Sequence, residues 1–520
     1  MNLEIKRKYL VFPVNTLSSM KKLTFKNGSE TVYQLNIKID NINPNFYAYI
    51  DVSRFIGQIL ELSVMPEMML EFEEKDEMLI DNVYNEKLRP QVHFTTKNGW
   101  INDPNGLIYL DGVYHMFYQH NPAEPEWENM HWGHAVSKDL IHWEEKESAL
   151  FPDERGHIFS GSAILDDKNV FGKNVGDKKC ALLFYTTTSP IFEQHMSYSM
   201  DNFKTIIPYK DKKAVVPHIE GENRDPKIIY CDELDCYIMA LYLVKDGYCV
   251  LKSDNLVDWT ELQRVQVEGD DECPDFFPIT DNEGNRKWVF MGADDKYLVG
   301  SFQNGQFVAE QPVKSLRYGI ASYAGQSFSN LPNGRIVRIV WDRWNVPYEN
   351  FSGQMGIPME MSLDFCDGAY YLQANPIEEV KSIYATTEKY SNVSVTSENT
   401  FSKKLENSAQ LLKIQSKNIE NGEMNLGVFG RNIKFDFSNN KMSIGDYASP
   451  ITVTHKGMDL TIIVDRCSME IFADGGKIYF TCLDKNTVCD YNIPYITIET
   501  NNEILLENIE INSLDSIWRN

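Results

Sequence analysis

Three acidic stretches carry the residue types that could do chemistry. They are WINDPNG with Asp103, RDPK with Asp225, and DDECPD spanning Asp270–Asp275. Taken locally, Asp-Pro-Asn-Gly is a turn, with Asp at the first corner, Pro pre-setting the next φ and a Gly free to take positive φ. The wider chain changes that reading, because the surroundings of Asp103 recur at Asp225. DPNGLIYLDGVYHMFY and DPKIIYCDELDCYIMALY both read Asp-Pro, an apolar strand ending in Tyr, an acidic turn and a second strand ending in Tyr. Equivalent positions of a repeat occupy equivalent places in space, and the Asp270 knot begins about one unit further on, so the three stretches are expected at one rim. Carboxylates facing one funnel repel unless protons or cations are shared among them. Such a cost is usually found where chemistry requires it.

The elements that must position these acids are strands. A second echo, SKDLIHW at Ser137, SMDNFKT at Ser199 and SDNLVDW at Ser253, divides the Asp103-to-Asp225 interval into two units. A repeat of that length with about four short strands per unit marks a β-propeller. Inner strands are expected to start near Asp103, Ser160, Asp225, Asp275 and Ser322, which makes five blades. Before them, YQLNIKID alternates strictly and is followed by FYAYIDV and QILELSV, predicting a small all-β module. After YYLQANPIEEVKSIY, short helical character gives way to strands with tight turns, and LTIIVDRCSMEIFADGGKIYFTCL reads as a hairpin with Asp-Gly-Gly at its tip. The expected fold is all-β: an N-terminal β module over 1–86, a five-bladed β-propeller over 87–376 and a C-terminal β-sandwich over 387–520. None of the acidic motifs lies in the first module. Its linker, NEKLRPQ, is polar and Pro-bearing, so the module is expected to be separable from the chemistry.

Composition narrows the partners. The 520 residues carry a formal charge of −25, against the basic footprint that nucleic acid or an anionic membrane requires. Aromatics at 12% suit both strands and sugar-facing surfaces. The nine cysteines are scattered without a CxxC pair, so neither a zinc ribbon nor a disulfide framework is indicated. The start, MNLEIKRKYLVFPVN, lacks the apolar run of a secretory signal, and no window approaches a membrane span. The sequence as given therefore reads as cytoplasmic. His131 and His134 in NMHWGH lack a paired third ligand and read as structural, so neither a metal nor a cofactor is expected.

WINDPNG, FYQHNP, WENMHWGHAVSKDLIHWEE, FSGS, RDPK and ECPD occur here in one order, and that order resembles glycoside hydrolase family 32, the β-fructosidases. VDRCSMEIFADGG resembles the family's sandwich signature, with Cys467 where a Ser is common. The resemblance covers roughly residues 88 to 520. It implies Asp103 as nucleophile, Glu272 as acid/base and Asp225 as transition-state stabiliser. Retaining glycoside hydrolysis needs one ionised carboxylate to attack and one protonated carboxyl to release the leaving group, and these residue types fit. Arg224 is expected to keep Asp225 ionised, and Asp271 to crowd Glu272 with like charge. By the same matching, Asn102, Gln119, Trp127, Phe159, Ser160 and Trp341 line the sugar pocket, with amides and hydroxyls on sugar hydroxyls and indoles over apolar faces. The family's usual Trp-Gly is Trp127-Glu128 here, so the local turn is expected to differ.

The implied activity is exo-acting hydrolysis of terminal β-D-fructofuranosyl residues in fructooligosaccharides, sucrose or fructans, through a fructosyl-enzyme. Fructosyl transfer and sucrose 6-phosphate hydrolysis use the same residues and stand as alternatives. A non-catalytic carbohydrate-binding propeller would be expected to have lost one of the three acids, and all three are present. The expected partner is a fructose-containing oligosaccharide; a homo-oligomer is compatible with the sequence.

Overall fold

The computed structural model describes every residue except 344–348, 407–408, 418, 420, 452–456, 484–487 and 519–520, and, for residues 211 and 483, the backbone alone. Five antiparallel sheets follow one another between residues 99 and 376. Their innermost strands are Gly99–Leu110, Ile158–Leu165, Arg224–Cys231, Asp275–Thr280 and Ser322–Ser327, close to the starts read from the repeat. These strands touch in cyclic order and the last returns to the first, closing a five-bladed propeller. Phe351–Ser352 pairs in parallel with Gly99–Trp100, which ties the last blade to the first.

Strand Cys236–Val244 shows why the blades stack. Its residues are apolar without interruption, and all but the last are buried, because both faces of a blade are covered. Met239 and Leu241 pack with Leu182 and Phe184 of the second blade, whereas Ile238, Ala240 and Tyr242 pack with Phe276, Trp288 and Phe290 of the fourth. Period-two alternation thus sends alternate residues into opposite inter-blade cores, each worth about 1.5–3 kcal/mol when a large side chain is buried.

A 3₁₀ turn, Glu378–Ile383, leads into two sheets of seven and six strands that enclose their own core. The stretch read as one hairpin is three strands, Met458–Val464, Ser468–Ala473 and Ile478–Leu483. Asp465-Arg466-Cys467 makes a first turn and Asp-Gly-Gly the second. The first turn was missed because its Asp is committed elsewhere. Buried Asp465 accepts the backbone N–H groups of Gln91 and Val92 and contacts His93 Nδ1 at 2.9 Å, while Glu470 takes His93 Nε2 at 2.9 Å. One imidazole therefore bridges two sandwich carboxylates at the entry to the propeller.

The first module folds around its own core from a four-stranded and a three-stranded sheet. Strand Glu30–Ile37 is the edge of the larger sheet, and an edge needs partners for its free N–H and C=O groups. The propeller supplies them. Gln34 N donates to Pro152 O, Asn36 N to Asn129 Oδ1, and Lys38 N to Glu124 Oε1. Tyr33 OH meets His131 Nε2 at 2.8 Å. The module is thus seated on the loop that carries Trp127, a coupling that the polar linker did not announce.

Burial alone would favour neutral His93, but the Glu470 and Asp465 carboxylates outweigh it and raise the imidazole to about 10. A group raised in this way contributes its full stability below its unfolded value near 6.5 and loses it as pH climbs through about 10. His93→Gln is expected to cost about 3–5 kcal/mol near neutrality, because two buried carboxylates lose their cation. The gap in thermal midpoint between variant and parent should narrow from pH 7 to pH 10. A gap that stays constant would show that His93 is not charged.

Candidate active site

Four of the five inner strands break register at the same level. The ladder skips between Ile101 and Pro104, between Phe159 and Gly161, between Arg224 and Lys227, and between Tyr323 and Gln326. Bulges re-aim side chains that a regular strand would send into the inter-blade cores. The residues they release include Asn102, Asp103, Ser160 and Asp225. The fourth blade instead delivers Glu272 and Cys273 from the loop preceding Asp275. Asp225, Glu272, Cys273 and Ala324 have φ of +63°, +49°, +34° and +51°, conformations that cost non-glycine residues about 1–3 kcal/mol each.

The three acids share partners. Cys273 Sγ lies 3.4 Å from Asp103 Oδ2 and 3.4 Å from Asp225 Oδ2, and its backbone N–H donates to Asp225 at 3.0 Å. Ser160 Oγ donates to Asp103 Oδ2 at 2.6 Å and Asn102 Nδ2 to Oδ1 at 3.1 Å. Arg224 Nη2 donates to Glu272 Oε1 at 2.6 Å, and Tyr323 OH to Oε2 at 2.9 Å.

Burial sets the electrostatics. It raises the Asp103 carboxyl, partly opposed by the Ser160 and Asn102 hydrogen bonds. It pushes Asp225 up to about 7, with Arg224 opposing and Asp103 and Glu272 reinforcing. The Cys273 thiol is held well above its ordinary value by burial and by the three surrounding carboxylates, so it stays neutral. Arg224 was expected to serve Asp225 and sits 3.8 Å from it; its tighter contact is with Glu272. Glu272 was expected to feel Asp271 first, yet its nearest partners are a guanidinium and a phenol. Both differences have one cause. The loop before Asp275 folds back over Arg224 of the neighbouring blade, a contact between blades that sequence proximity cannot show.

The residues matched to the sugar pocket surround this cluster. Trp100 Nε1 donates to Asn102 Oδ1 at 2.8 Å, and the Trp100 ring meets Trp341 at 5.6 Å. Trp341 is only 8% exposed, and its indole N–H finds no acceptor among the described residues, whereas neighbouring Trp344 lies outside them. Gln119 Nε2 donates to Ile158 O at 3.0 Å. With the Asn105 amide oriented to satisfy both its groups, Asn105 accepts from Gln119 at 2.8 Å and donates to Ser160 Oγ at 3.2 Å. A chain of bonds thus runs from Gln119 through Asn105 and Ser160 to Asp103. Trp127, 49% exposed, lies 6.2 Å from the Phe159 ring and 5.6 Å from His157 at the rim.

Sequence reasoning missed Asn105, Cys273 and Tyr323. The first two stand inside the quoted motifs and were legible as polar neighbours of acids; Tyr323 arrives from the fifth blade with no local signal. Among the described residues one group has the proximity for a metal, His93, Asp342 and Glu470, but both nitrogens of His93 already face carboxylates. His131 and His134 are bonded to Tyr33 and His115. The chemistry the arrangement can do is carboxylate attack with proton transfer at one centre, lined by amides, a hydroxyl and indoles.

Two family models match in tandem: the N-terminal domain of glycosyl hydrolases family 32 over residues 93–376 and the C-terminal domain of that family over residues 379–483. A levanase of Bacillus subtilis (strain 168) is 30% identical over 478 residues, covering 82% of this chain and 70% of the levanase. A levanase of Bacillus sp. (strain L7) is 26% identical over 505 residues, and the match spans 53% of its length. An extracellular exo-inulinase of Aspergillus awamori is 28% identical over 480 residues, with 76% of this chain and 89% of that protein covered. The crystal structure of exo-inulinase from Aspergillus awamori superposes with a TM-score of 0.74 at 24% identity, over 84% of this chain and 100% of that one. Both family matches begin after the first module.

The elevated Asp225 predicts a trade of function against stability. Its unfolded value lies near 3.8 and its folded value near 7. The folded state therefore binds the extra proton between them, and ionisation costs stability progressively as pH rises through that window. Asp225→Asn, which still accepts the Cys273 N–H, should raise the thermal midpoint by a few °C at pH 8 and less at pH 5. A variant whose midpoint differs from the parent equally at both pH values would remove Asp225 as a charged, desolvated group.

Proposed function

The chain belongs to glycoside hydrolase family 32, a β-fructofuranosidase-type hydrolase, and on that premise we propose that Asp103, Glu272 and Asp225 divide the work of an exo-acting, retaining β-fructosidase. The observation that carries the division is the convergence of all three acids on one neutral thiol and one guanidinium. Asp103 attacks the anomeric carbon of a terminal fructofuranosyl unit and forms an ester. Ser160 and Asn102 orient its two oxygens for this, so its lone pairs are aimed before substrate arrives.

Glu272 supplies the proton that the leaving sugar oxygen takes. Oε1 is fixed by Arg224, so Oε2, which among the described residues meets only the Tyr323 hydroxyl, is the oxygen that carries it. Tyr323 also lies 3.1 Å from Asp271 Oδ1 and can turn its O–H there while accepting from protonated Glu272. In the second step water, deprotonated by Glu272, attacks the ester from the same face, giving net retention. A sugar hydroxyl in place of water gives transfer. Asp225, held by the Cys273 N–H, faces the positive charge that develops on the ketose carbon. The terminal pocket is walled by Trp100, Trp341 and Phe159, consistent with release of single end units. Levanase and exo-inulinase relatives support levan- and inulin-type fructans as substrates.

Asp103→Asn can still bond Asn102 and Ser160 but cannot form the ester, and should lower turnover of sucrose, inulin and levan by several orders of magnitude. Near-normal hydrolysis by a folded variant would show that another group is the nucleophile. Glu272→Ala should slow natural substrates severely yet spare the first step with an activated aryl fructoside, which needs little protonation. Azide, needing no general base, should then release a β-configured fructosyl azide. The opposite anomer would mean direct displacement and inversion. Equal slowing of natural and activated substrates would reduce Glu272 to a binding role.

A further inference from the structure

Beside the rim of the active site, the first module and the propeller enclose a cavity of about 220 Å³. Its polar lining comes from Lys22, Gln34, Asn36, Asn129, His157 and Ser189, and Leu35 and Pro152 add apolar surface beside them. Strand register explains the module's share. Lys22 stands opposite Asn36 across the strand pair Lys21–Asn27 and Glu30–Ile37, and Gln34 lies two residues before Asn36, so all three point from one face. That face is turned toward the propeller by the edge-strand docking described above.

His157 lines the cavity and also neighbours the aromatic residues matched to the sugar pocket. Its ring lies 5.6 Å from Trp127 and 5.8 Å from Phe159, and Nδ1 accepts the Met130 N–H. Glu128 stands behind two lining residues, with Oε1 3.4 Å from His157 Nε2 and accepting from Asn36 Nδ2 at 3.2 Å. This is the residue that stands where the family usually has glycine, so the altered turn at Trp127-Glu128 serves the seam. In a chain of charge −25, the Lys22 ammonium has no carboxylate within ion-pair distance among the described residues. An ammonium, amides, an imidazole and a hydroxyl around a small volume beside an indole suit a neutral, polyhydroxylated ring. Several of the amides already bond across the seam, Asn129 to Asn36 and Asn36 to Glu128, which leaves the Lys22 ammonium and the Ser189 hydroxyl as the lining groups that face a ligand.

We propose that this seam is a distal sugar subsite, which takes a unit of a fructan chain on the leaving-group side of the cleaved bond. The proposal rests on the fructosidase reading, since an exo-acting pocket ends at the terminal unit and any further site must lie beyond the leaving oxygen. Because both family matches begin at residue 93 or later, half of this subsite belongs to a module outside the family fold. On this reading sucrose ends before the seam and longer oligomers extend toward it.

Lys22 is exposed, touches no catalytic group and can be changed without disturbing the docking bonds. Lys22→Ala removes a donor, and Lys22→Trp fills the cavity. Each should raise KM for fructosylnystose and levan about 3–10-fold, the loss expected for one or two hydrogen bonds. kcat should stay the same, and both constants should be unchanged on sucrose. Unchanged KM on the long substrates in both variants would overturn the subsite. A rise of equal size on sucrose would overturn it too, because it would mean that Lys22 acts by holding the Trp127 loop. Calorimetric titration of fructosylnystose into Asp103→Asn protein, with and without Lys22→Trp, reads the same site without turnover. It separates failure of the subsite from failure of the activity: a parent that cleaves no fructoside would defeat the activity, while loss of affinity on filling the seam would still locate the sugar.

Discussion

Lys227 and Asp275 form the contact on which the site depends. The Lys227 ammonium lies 3.1 Å from Asp275 Oδ1, donates to the backbone and hydroxyl oxygens of Ser327, and is buried with them. Ser327 Oγ in turn donates to Asp275, and Arg338 joins Asp275 to Asp295. Lys227 stands two residues after Asp225, and Asp275 three residues after Glu272. One charge network, directly beneath the acids, therefore ties the third, fourth and fifth blades together. A buried ion pair is poor evidence of net stability, because desolvation takes back most of the attraction. Its consequence here is positional. If either inner strand slipped by one residue, each ion would be left alone in a dry interior at a cost of several kcal/mol. The pair fixes where Asp225 and Glu272 stand relative to each other.

That rigidity answers a difficulty built into the chemistry. Three carboxylates are gathered where burial raises two of them, and the backbone at Asp225, Glu272 and Cys273 sits in the left-handed region. Left to itself this arrangement would relax by turning an acid out to water. It persists because the bulged strands are flanked by inter-blade cores that cannot follow such a movement. Cys273 has a part in this. Any side chain with a fixed charge between Asp103 and Asp225 would neutralise one of them or repel both. A thiol kept neutral by the same carboxylates fills the gap and donates only weakly.

How much of this was legible depends on the range of each signal. The blades were, because alternation and turn residues are local and the Asp-Pro echo at Asp103 and Asp225 repeats them in register. The start of each inner strand followed from that echo within a few residues. The partners of the acids were not. Arg224 is adjacent to Asp225 in sequence, so it was assigned there, yet ring closure places Glu272 of the next blade nearer. Tyr323 arrives from the fifth blade, whose order relative to the first is set by closure of the whole propeller. Asp465 was read as part of a hairpin because its real partner, His93, is separated from it by the entire propeller. Local pattern reports elements well; it is silent on which elements a closed ring will bring face to face.

The first module shows the same limit from the other side. A polar linker and an absence of motifs argued for a unit apart from the chemistry, and both observations hold. What they omit is the hydrogen-bonding demand of an edge strand. The N–H groups of Gln34, Asn36 and Lys38 need acceptors, and the structure finds them in Pro152, Asn129 and Glu124. Asn129 returns the contact by donating its amide to Asn36 O, and the Tyr33 hydroxyl reaches buried His131 on the strand just after the same loop. An edge satisfied by one loop of a neighbouring domain holds that loop as firmly as the loop holds the edge. Here the loop bears Trp127 and Glu128. The module is therefore outside the acid cluster and inside the mechanics of its rim, and the need to cover one strand edge is enough to bring about both.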